Sequence, residues 1–216
     1  MPEPSAVDDG EGRLVVISGP SGVGKTVLAR RVAGELPGVG IVLTATTRPP
    51  RPREKNGRDY AFLSRERFSE LERSGGFLEH ACYLDDWYGT PMESLRAALQ
   101  QYRIALLLID VQGARQVRRK RPDAAFVFIA PPDEKSLERR LRERATDEDE
   151  EITRRIDCSR TELDQARSYD YVIVNDDLDE AARQLRQLLE QLMREGADSG
   201  AESRRAVHRD RRDGPR

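Results

Sequence analysis

At 216 residues, with 37% hydrophobic and 35% charged side chains, the chain can bury one sizeable core but is too short for two average domains. Its formal net charge of −2 excludes the strongly basic balance of a dedicated nucleic-acid binder. Cys82 and Cys158 are the only cysteines and form no CxxC pair, which excludes a disulfide framework and a cysteine zinc site. No apolar run approaches the roughly 20 residues needed to span a bilayer, and the start MPEPSAVDDGEGR lacks the basic and apolar regions of a secretory signal. A cytoplasmic protein is expected.

In chain order, residues 1–12 combine Pro, Gly, Ser and acidic side chains and read as a disordered segment. LVVIS at 14–18 is a short, fully apolar run of the kind a buried parallel strand requires. IVLTAT at 41–46, IALLLI at 104–109, AFVFIA at 125–130 and YVIV at 171–174 repeat that pattern. Helical patterns separate most of these runs. Leu137 and Leu141 lie four apart in KSLERRLRER, and Ala181, Leu185, Leu188 and Leu192 mark one stripe over about 178–194. Thr90 with Glu93, and Asp177 with Glu180, have capping-box spacing, and Pro91 suits a first helical position. Alternating strands and helices predict a five-stranded, doubly wound parallel sheet. The stretch between 46 and 104 is too long for a simple crossover and predicts an inserted lobe. From 195 to 216, Arg alternates with Asp, Glu, Gly and Ser, which reads as a solvated, disordered tail.

The sequence Gly19-Pro20-Ser21-Gly22-Val23-Gly24-Lys25-Thr26 matches GxxxxGK[ST] and lies between the first strand and a helical pattern, the context this motif needs. Its glycines let backbone N–H groups close around phosphate oxygens, and the following helix turns its positive end toward them. Lys25 then reaches the β- and γ-phosphates, and the Thr26 hydroxyl can ligate Mg²⁺. The expected activity is ATP-dependent phosphoryl transfer.

Beyond the P-loop, Thr44-Ala-Thr-Thr-Arg48-Pro-Pro-Arg51 sets two guanidiniums on a Pro-stiffened loop, and Gly57-Arg-Asp-Tyr60 follows. Guanidinium forks suit bidentate phosphate binding. Together with FLEHA (77–81), WYGT (87–90), DVQGARQVR (110–118), RRLRERATDEDEEITRRI (139–156) and VNDDLDEA (174–181), this run of motifs resembles guanylate kinase, in unbroken order over about residues 13–194. The resemblance implies a P-loop kinase domain over 13–194, with a GMP-binding lobe at about 46–91 and a helical lid at about 138–156. It implies ATP + GMP to ADP + GDP, with ATP and Mg²⁺ as cofactors and dGMP open as a second acceptor. By the same resemblance, Arg48, Arg51, Tyr60 and Tyr88 match the residues that hold the GMP phosphate, and Thr44 stands where the family usually has Ser. Glu79 and Thr90 match the readers of the guanine edge. A carboxylate can accept from N1–H and the 2-amino group, and a hydroxyl can donate to O6. Asp110 matches the later acid of the family's strand end, and Asn175 a residue near adenine. Arg140, Arg144 and Arg155 match the arginines that neutralise the transferring phosphoryl.

The pattern also breaks. Leu108 occupies a position that is typically acidic in the family and would help organise Mg²⁺, and Arg53 and Ala145 replace common glycines. Asp85 and Asp86 are also unusual before the YGT element. Two other readings therefore remain open: a kinase of another small phosphate acceptor on the same scaffold, and a non-catalytic guanylate-kinase-like binding module. The intact Lys25 and Thr26 speak against the module, and Glu79 with Thr90 speaks for guanine.

Overall fold

The apolar runs become the strands of a parallel sheet whose two faces are both covered. A computed structural model describes residues 12–83, 85–143 and 161–210. The strands are β1 (Arg13–Ser18), β2 (Val39–Ile41), β3 (Ala45–Thr46), β4 (Ala61–Phe62), β5 (Phe77–Tyr83), β6 (Asp86–Pro91), β7 (Ile104–Leu108), β8 (Ala125–Ala130) and β9 (Tyr171–Val174). The helices are α1 (Lys25–Glu35), α2 (Arg65–Arg73), α3 (Met92–Gln101), α4 (Val111–Lys120), α5 (Glu134–Glu143) and α6 (Leu178–Asp210). The main sheet has the order β2-β7-β1-β8-β9, and every pairing in it is parallel. Five parallel strands are as the sequence predicts.

Burial on both sides explains the uninterrupted apolar runs. Val15 and Ile17 of β1 pack with Leu28 and Val32 of α1 and Leu185 and Leu189 of α6 on one face. Leu14 and Val16 of the same strand pack with Leu95, Leu99 and Val117 on the other. The period of two in β1 thus serves two cores.

The run 41–46 is one strand in the sequence reading and two in the structure. The chain leaves the parallel sheet after the Val42 N–H bonds to Leu106 O (2.9 Å), and Ala45–Thr46 joins a second sheet with order β4-β3-β6-β5. In that sheet β3 runs antiparallel to β6, and β6 antiparallel to β5. The second sheet has its own small core of Ala45, Phe68 and Phe77.

Two helix starts differ in detail. α3 begins at Met92 with Pro91 as its cap and no side-chain capping bond, so Thr90 and Glu93 do not form the expected capping box. The Thr90 hydroxyl is instead committed to Glu79 across the β5–β6 ladder. At α6 the Glu180 N–H donates to Asp177 Oδ1 (2.8 Å), while the Glu180 carboxylate turns to Arg183 and Gln184 rather than back to Asp177. Helical backbone in α6 continues to Asp210, past the residue-194 boundary where the apolar stripe ends.

Candidate active site

The phosphate cradle forms because β1 ends at Ser18 and the chain must turn sharply into α1. Gly19 adopts φ 140°, and a Cβ there would lie 2.2 Å from Ile129 O of the neighbouring strand. Gly24, the residue capping α1, has φ 99°, and a Cβ there would meet Asn175 Nδ2 at 2.6 Å. Only glycine satisfies both constraints. Lys25 opens α1 and folds over the loop, with Nζ donating to Gly19 O (2.5 Å) and Pro20 O (3.0 Å).

Asn175 and Arg140 act from behind this loop rather than on the cleft wall. Buried Asn175 donates from Nδ2 to Val23 O (2.7 Å), pinning the middle of the P-loop, and its own N–H bonds to Ala130 O (2.8 Å). Arg140 of α5 donates to Asn175 O (2.9 Å) and Asp176 O (3.3 Å). Arg144, Arg155 and Ala145 lie outside the described residues.

One cleft of about 620 Å³ runs from the cradle to the inserted lobe. Such a volume suits a ligand of small-molecule size. Gly19, Ser21, Gly22, Gly24, Lys25 and Thr26 line one end, and Thr44, Arg48, Arg51, Tyr60, Glu79 and Tyr88 line the other, with Asp110 on the same wall. Most of the sequence-predicted residues therefore share one space, while Thr90 lies buried behind Glu79 and off the cleft wall. Val23 faces the core instead, fully buried, and Pro20 contributes its carbonyl to Lys25.

At the far end, Arg48 Nη2 donates to both carboxylate oxygens of Glu54 (2.9 Å each), and Glu54 Oε2 also accepts the Arg51 N–H (2.8 Å). The Arg48 guanidinium carbon lies 5.8 Å from the Tyr60 ring centroid, and Tyr60 and Tyr88 meet edge to face at 6.1 Å. Burial pushes the Tyr60 phenol upward, which keeps it a neutral donor. The result is a guanidinium held in a fixed orientation between a carboxylate and aromatic rings.

Three elements build the polar pocket beside it. β5 carries Glu79, directly opposite Thr90 on β6, and the Thr90 hydroxyl donates to Glu79 Oε1 (2.5 Å). Both are buried, with 3% and 0% of their surface exposed. Asp110 caps α4 by accepting the Gly113 N–H (2.7 Å), which brings the first turn of α4 against Glu79. A Cβ at position 113 would stand 2.5 Å from Glu79 Oε2, so glycine there is what leaves the carboxylate room. Burial, opposed by the Thr90 hydroxyl and reinforced by the charge of Asp110, raises the Glu79 carboxyl to about 7. An acid raised by burial and lodged in a cleft is a candidate functional group.

Sequence reasoning missed two residues here. Gly113 lay inside the quoted motif DVQGARQVR without a role of its own. Glu162 also lines the cleft, beside Ser21, Lys25 and Asp110, and no motif or periodicity singles it out. Leu108, half-buried at the end of β7, lines the cleft as an apolar side chain and packs on the core.

A phosphate-binding loop and a buried hydrogen-bonding pocket at opposite ends of one cleft, on a doubly wound parallel sheet, define a P-loop phosphotransferase. The guanylate kinase family model matches residues 11–192. A guanylate kinase of Synechococcus sp. (strain JA-3-3Ab) is 45% identical over 188 residues, covering 87% of this chain and 85% of the relative. One of Rubrobacter xylanophilus (strain DSM 9941 / JCM 11954 / NBRC 16129 / PRD-1) is 42% identical over 185 residues, covering 86% and 97%. The crystal structure of guanylate kinase from Anaplasma phagocytophilum superposes with a TM-score of 0.70 at 31% identity, covering 86% of this chain and 88% of that one. The chain belongs to the guanylate kinase family, ATP-dependent kinases that phosphorylate GMP. Neither the binding-module reading nor the other-acceptor reading gains support from these relatives.

Proposed function

We propose that the two ends of the cleft divide the reaction between them, with ATP phosphates at residues 19–26 and GMP between Arg48 and Glu79. The observation that carries this assignment is buried Glu79, which lines one cleft with the P-loop and is held from behind by the Thr90 hydroxyl. Glu79 accepts from guanine N1–H and the 2-amino group. For Thr90 to donate to O6, its hydroxyl must rotate away from Glu79, which the arriving guanine donors then satisfy. Arg48, Arg51, Tyr60 and Tyr88 hold the acceptor phosphate, with Thr44 and Asp110 flanking the base and phosphate. Lys25 leaves the Gly19 and Pro20 carbonyls for the transferring phosphoryl; the family resemblance assigns Arg144 and Arg155 to the same charge, and Arg140 joins them only by leaving Asn175 O and Asp176 O.

The acceptor is already a phosphate anion, so no Ser, His or Cys base is needed. Alignment and charge stabilisation carry the catalysis. The Thr26 hydroxyl and the Asp110 carboxylate offer the oxygen donors Mg²⁺ takes, and fit an ion held mainly by phosphate oxygens and water. Bound there, Mg²⁺ supplies charge neutralisation on the ATP phosphates. Among the described residues no helix is long and apolar enough to cross a membrane. A cytoplasmic role in purine nucleotide metabolism fits this activity.

The test is steady-state kinetics with ATP and GMP, AMP, CMP or UMP, on the wild type and Glu79→Gln. The wild type should prefer GMP over AMP by roughly 10⁴ in kcat/KM, since AMP leaves buried polar groups unpaired. Glu79→Gln should lose most of that ratio. Comparable use of AMP and GMP by the wild type would remove Glu79 as the reader.

A further inference from the structure

Glu162 is a half-buried acid with no part in the phosphoryl transfer. It sits just before a 3-10 turn over Asp164–Ser168, with its side chain on the cleft wall beside Gly19, Ser21, Lys25 and Asp110. The Ser21 backbone N–H faces its carboxylate. The carboxylate oxygen Oε2 is buried and has no hydrogen-bond partner. Burial raises the carboxyl to about 7, with the Lys25 charge opposing and the Asp110 charge adding to the rise.

The position of the Ser21 N–H gives this arrangement its meaning. Backbone N–H groups of a P-loop converge on the place where phosphate oxygens bind, and an anion is what such a concavity attracts. In this chain the anion on that donor is the protein's own. An orphaned buried carboxylate oxygen is costly, and a carboxylate is the side chain that most nearly copies a phosphate's charge and acceptor geometry. A phosphate and Glu162 cannot both occupy the Ser21 N–H, and two anions side by side in a partly desolvated cleft repel each other.

We propose that Glu162 is the resident counter-anion of the phosphate cradle: it faces the Ser21 N–H and Lys25 in the empty protein and is displaced when nucleotide phosphates enter. It is a positioning residue, since it acts on the loop and not on the reacting atoms. It keeps the loop's donors engaged and the cradle formed without ligand, and displacing it lowers nucleotide affinity by the fraction of molecules in which it is bound. The inference rests on the nucleotide reading of the cleft.

The experiment is calorimetric binding of ADP and of inorganic pyrophosphate, in EDTA at fixed ionic strength, to the full chain and to Glu162→Gln and Glu162→Ala. Far-ultraviolet circular dichroism and melting curves verify that each variant is folded. Both variants should bind ADP and pyrophosphate about tenfold more tightly than the wild type, because neither has to expel a charge. GMP affinity, measured the same way, should stay within about twofold, since GMP occupies the other end of the cleft. Equal or weaker ADP and pyrophosphate binding by both folded variants overturns the proposal. So does a parallel gain for GMP, which would mark a general change in cleft charge. A wild type that binds neither ADP nor pyrophosphate would instead sink the nucleotide reading itself.

Discussion

Glu79 is held in a state that favours its proton, and this sets the pH behaviour of the protein. Its carboxyl stands near 7 when folded, raised by burial from an ordinary value of 4.5. Between those two values the folded state binds more protons than the unfolded one, so its contribution to stability is fullest below 4.5 and is lost as pH rises through about 7. Glu79→Gln removes that penalty, keeps an acceptor for the Thr90 hydroxyl, and should stabilise the empty protein at pH 8 by on the order of 3 kcal/mol, with little gain at pH 4. Thermal unfolding of both proteins at the two pH values checks this; an equal shift at both would mean a change of packing and not of charge. Binding runs the opposite way. Guanine needs the ionised carboxylate, so the KM for GMP should rise as pH falls below about 7, approaching tenfold per pH unit, and the rise should be absent in Glu79→Gln. A flat wild-type profile between pH 5.5 and 8 would contradict the raised carboxyl.

At the scale of elements, the Asp59 carboxylate ties α1 to the inserted lobe. Arg30 lies on α1 a little more than one turn beyond Lys25, and its Nη2 pairs with Asp59 Oδ1 at 2.5 Å, in the loop that leads to Tyr60. Asp59 is well shielded, and it also accepts from the Lys55 N–H and Arg58 Nε. Arg30 foremost, with these donors, lowers its carboxyl to about 2 from an ordinary 3.8. The linkage sign is that of a depressed acid: stability present above 3.8 is lost only as pH falls through about 2, so the link does not titrate in working buffers. Asp59→Asn should therefore raise the KM for GMP several-fold at every pH from 5 to 9, with a smaller effect on the KM for ATP, because it loosens the acceptor lobe and leaves the cradle intact. Equal changes in both constants would place Asp59 in general stability instead. The sequence made some of these elements plain and hid others. The P-loop was legible because a strand, a glycine turn and Lys-Thr must coincide in sequence, and Arg48, Glu79 and Tyr88 were legible through the order of the motifs around them. The break between β2 and β3 was not, because IVLTAT is equally apolar in one strand or in two, and only sheet pairing decides. Thr90 looked like a helix cap because its spacing to Glu93 fits one, whereas α3 starts one residue later with Pro91 in the cap position, and the Thr90 hydroxyl donates across the ladder to Glu79. Glu162 belongs to no local pattern, since its meaning lies wholly in contact with a loop some 140 residues earlier, the difference between positions 162 and 21.

For the whole molecule, the decisive asymmetry is between the sizes of its cores. The parallel sheet is buried on both faces by two large clusters. The inserted lobe rests on Ala45, Phe68 and Phe77, with Ala61, Leu63, Leu71 and Trp87 packed around them. Phe68 is its keystone: it is 1% exposed, stacks on Phe77 with ring centroids 4.5 Å apart, and lies 6.0 Å from Trp87. A small core unfolds locally at lower cost than a large one, so the lobe that binds GMP should open more often than the sheet that carries the cradle. Ligand then stabilises the part it binds. Amide hydrogen exchange should accordingly show β3, β5 and β6 exchanging faster than β1, β7 and β8 in the empty protein, and GMP should slow the first group far more than the second. Phe68→Ala tests the same asymmetry by mutation. Truncating a buried Phe costs about 3–5 kcal/mol, and here the loss falls on a subdomain with little to spare. The variant should lose GMP affinity by at least an order of magnitude while ADP binding at the P-loop persists and the sheet's slow-exchanging amides stay slow. Loss of both affinities together, with uniform acceleration of exchange, would show that the two lobes unfold as one cooperative unit and that the small core has no separate equilibrium.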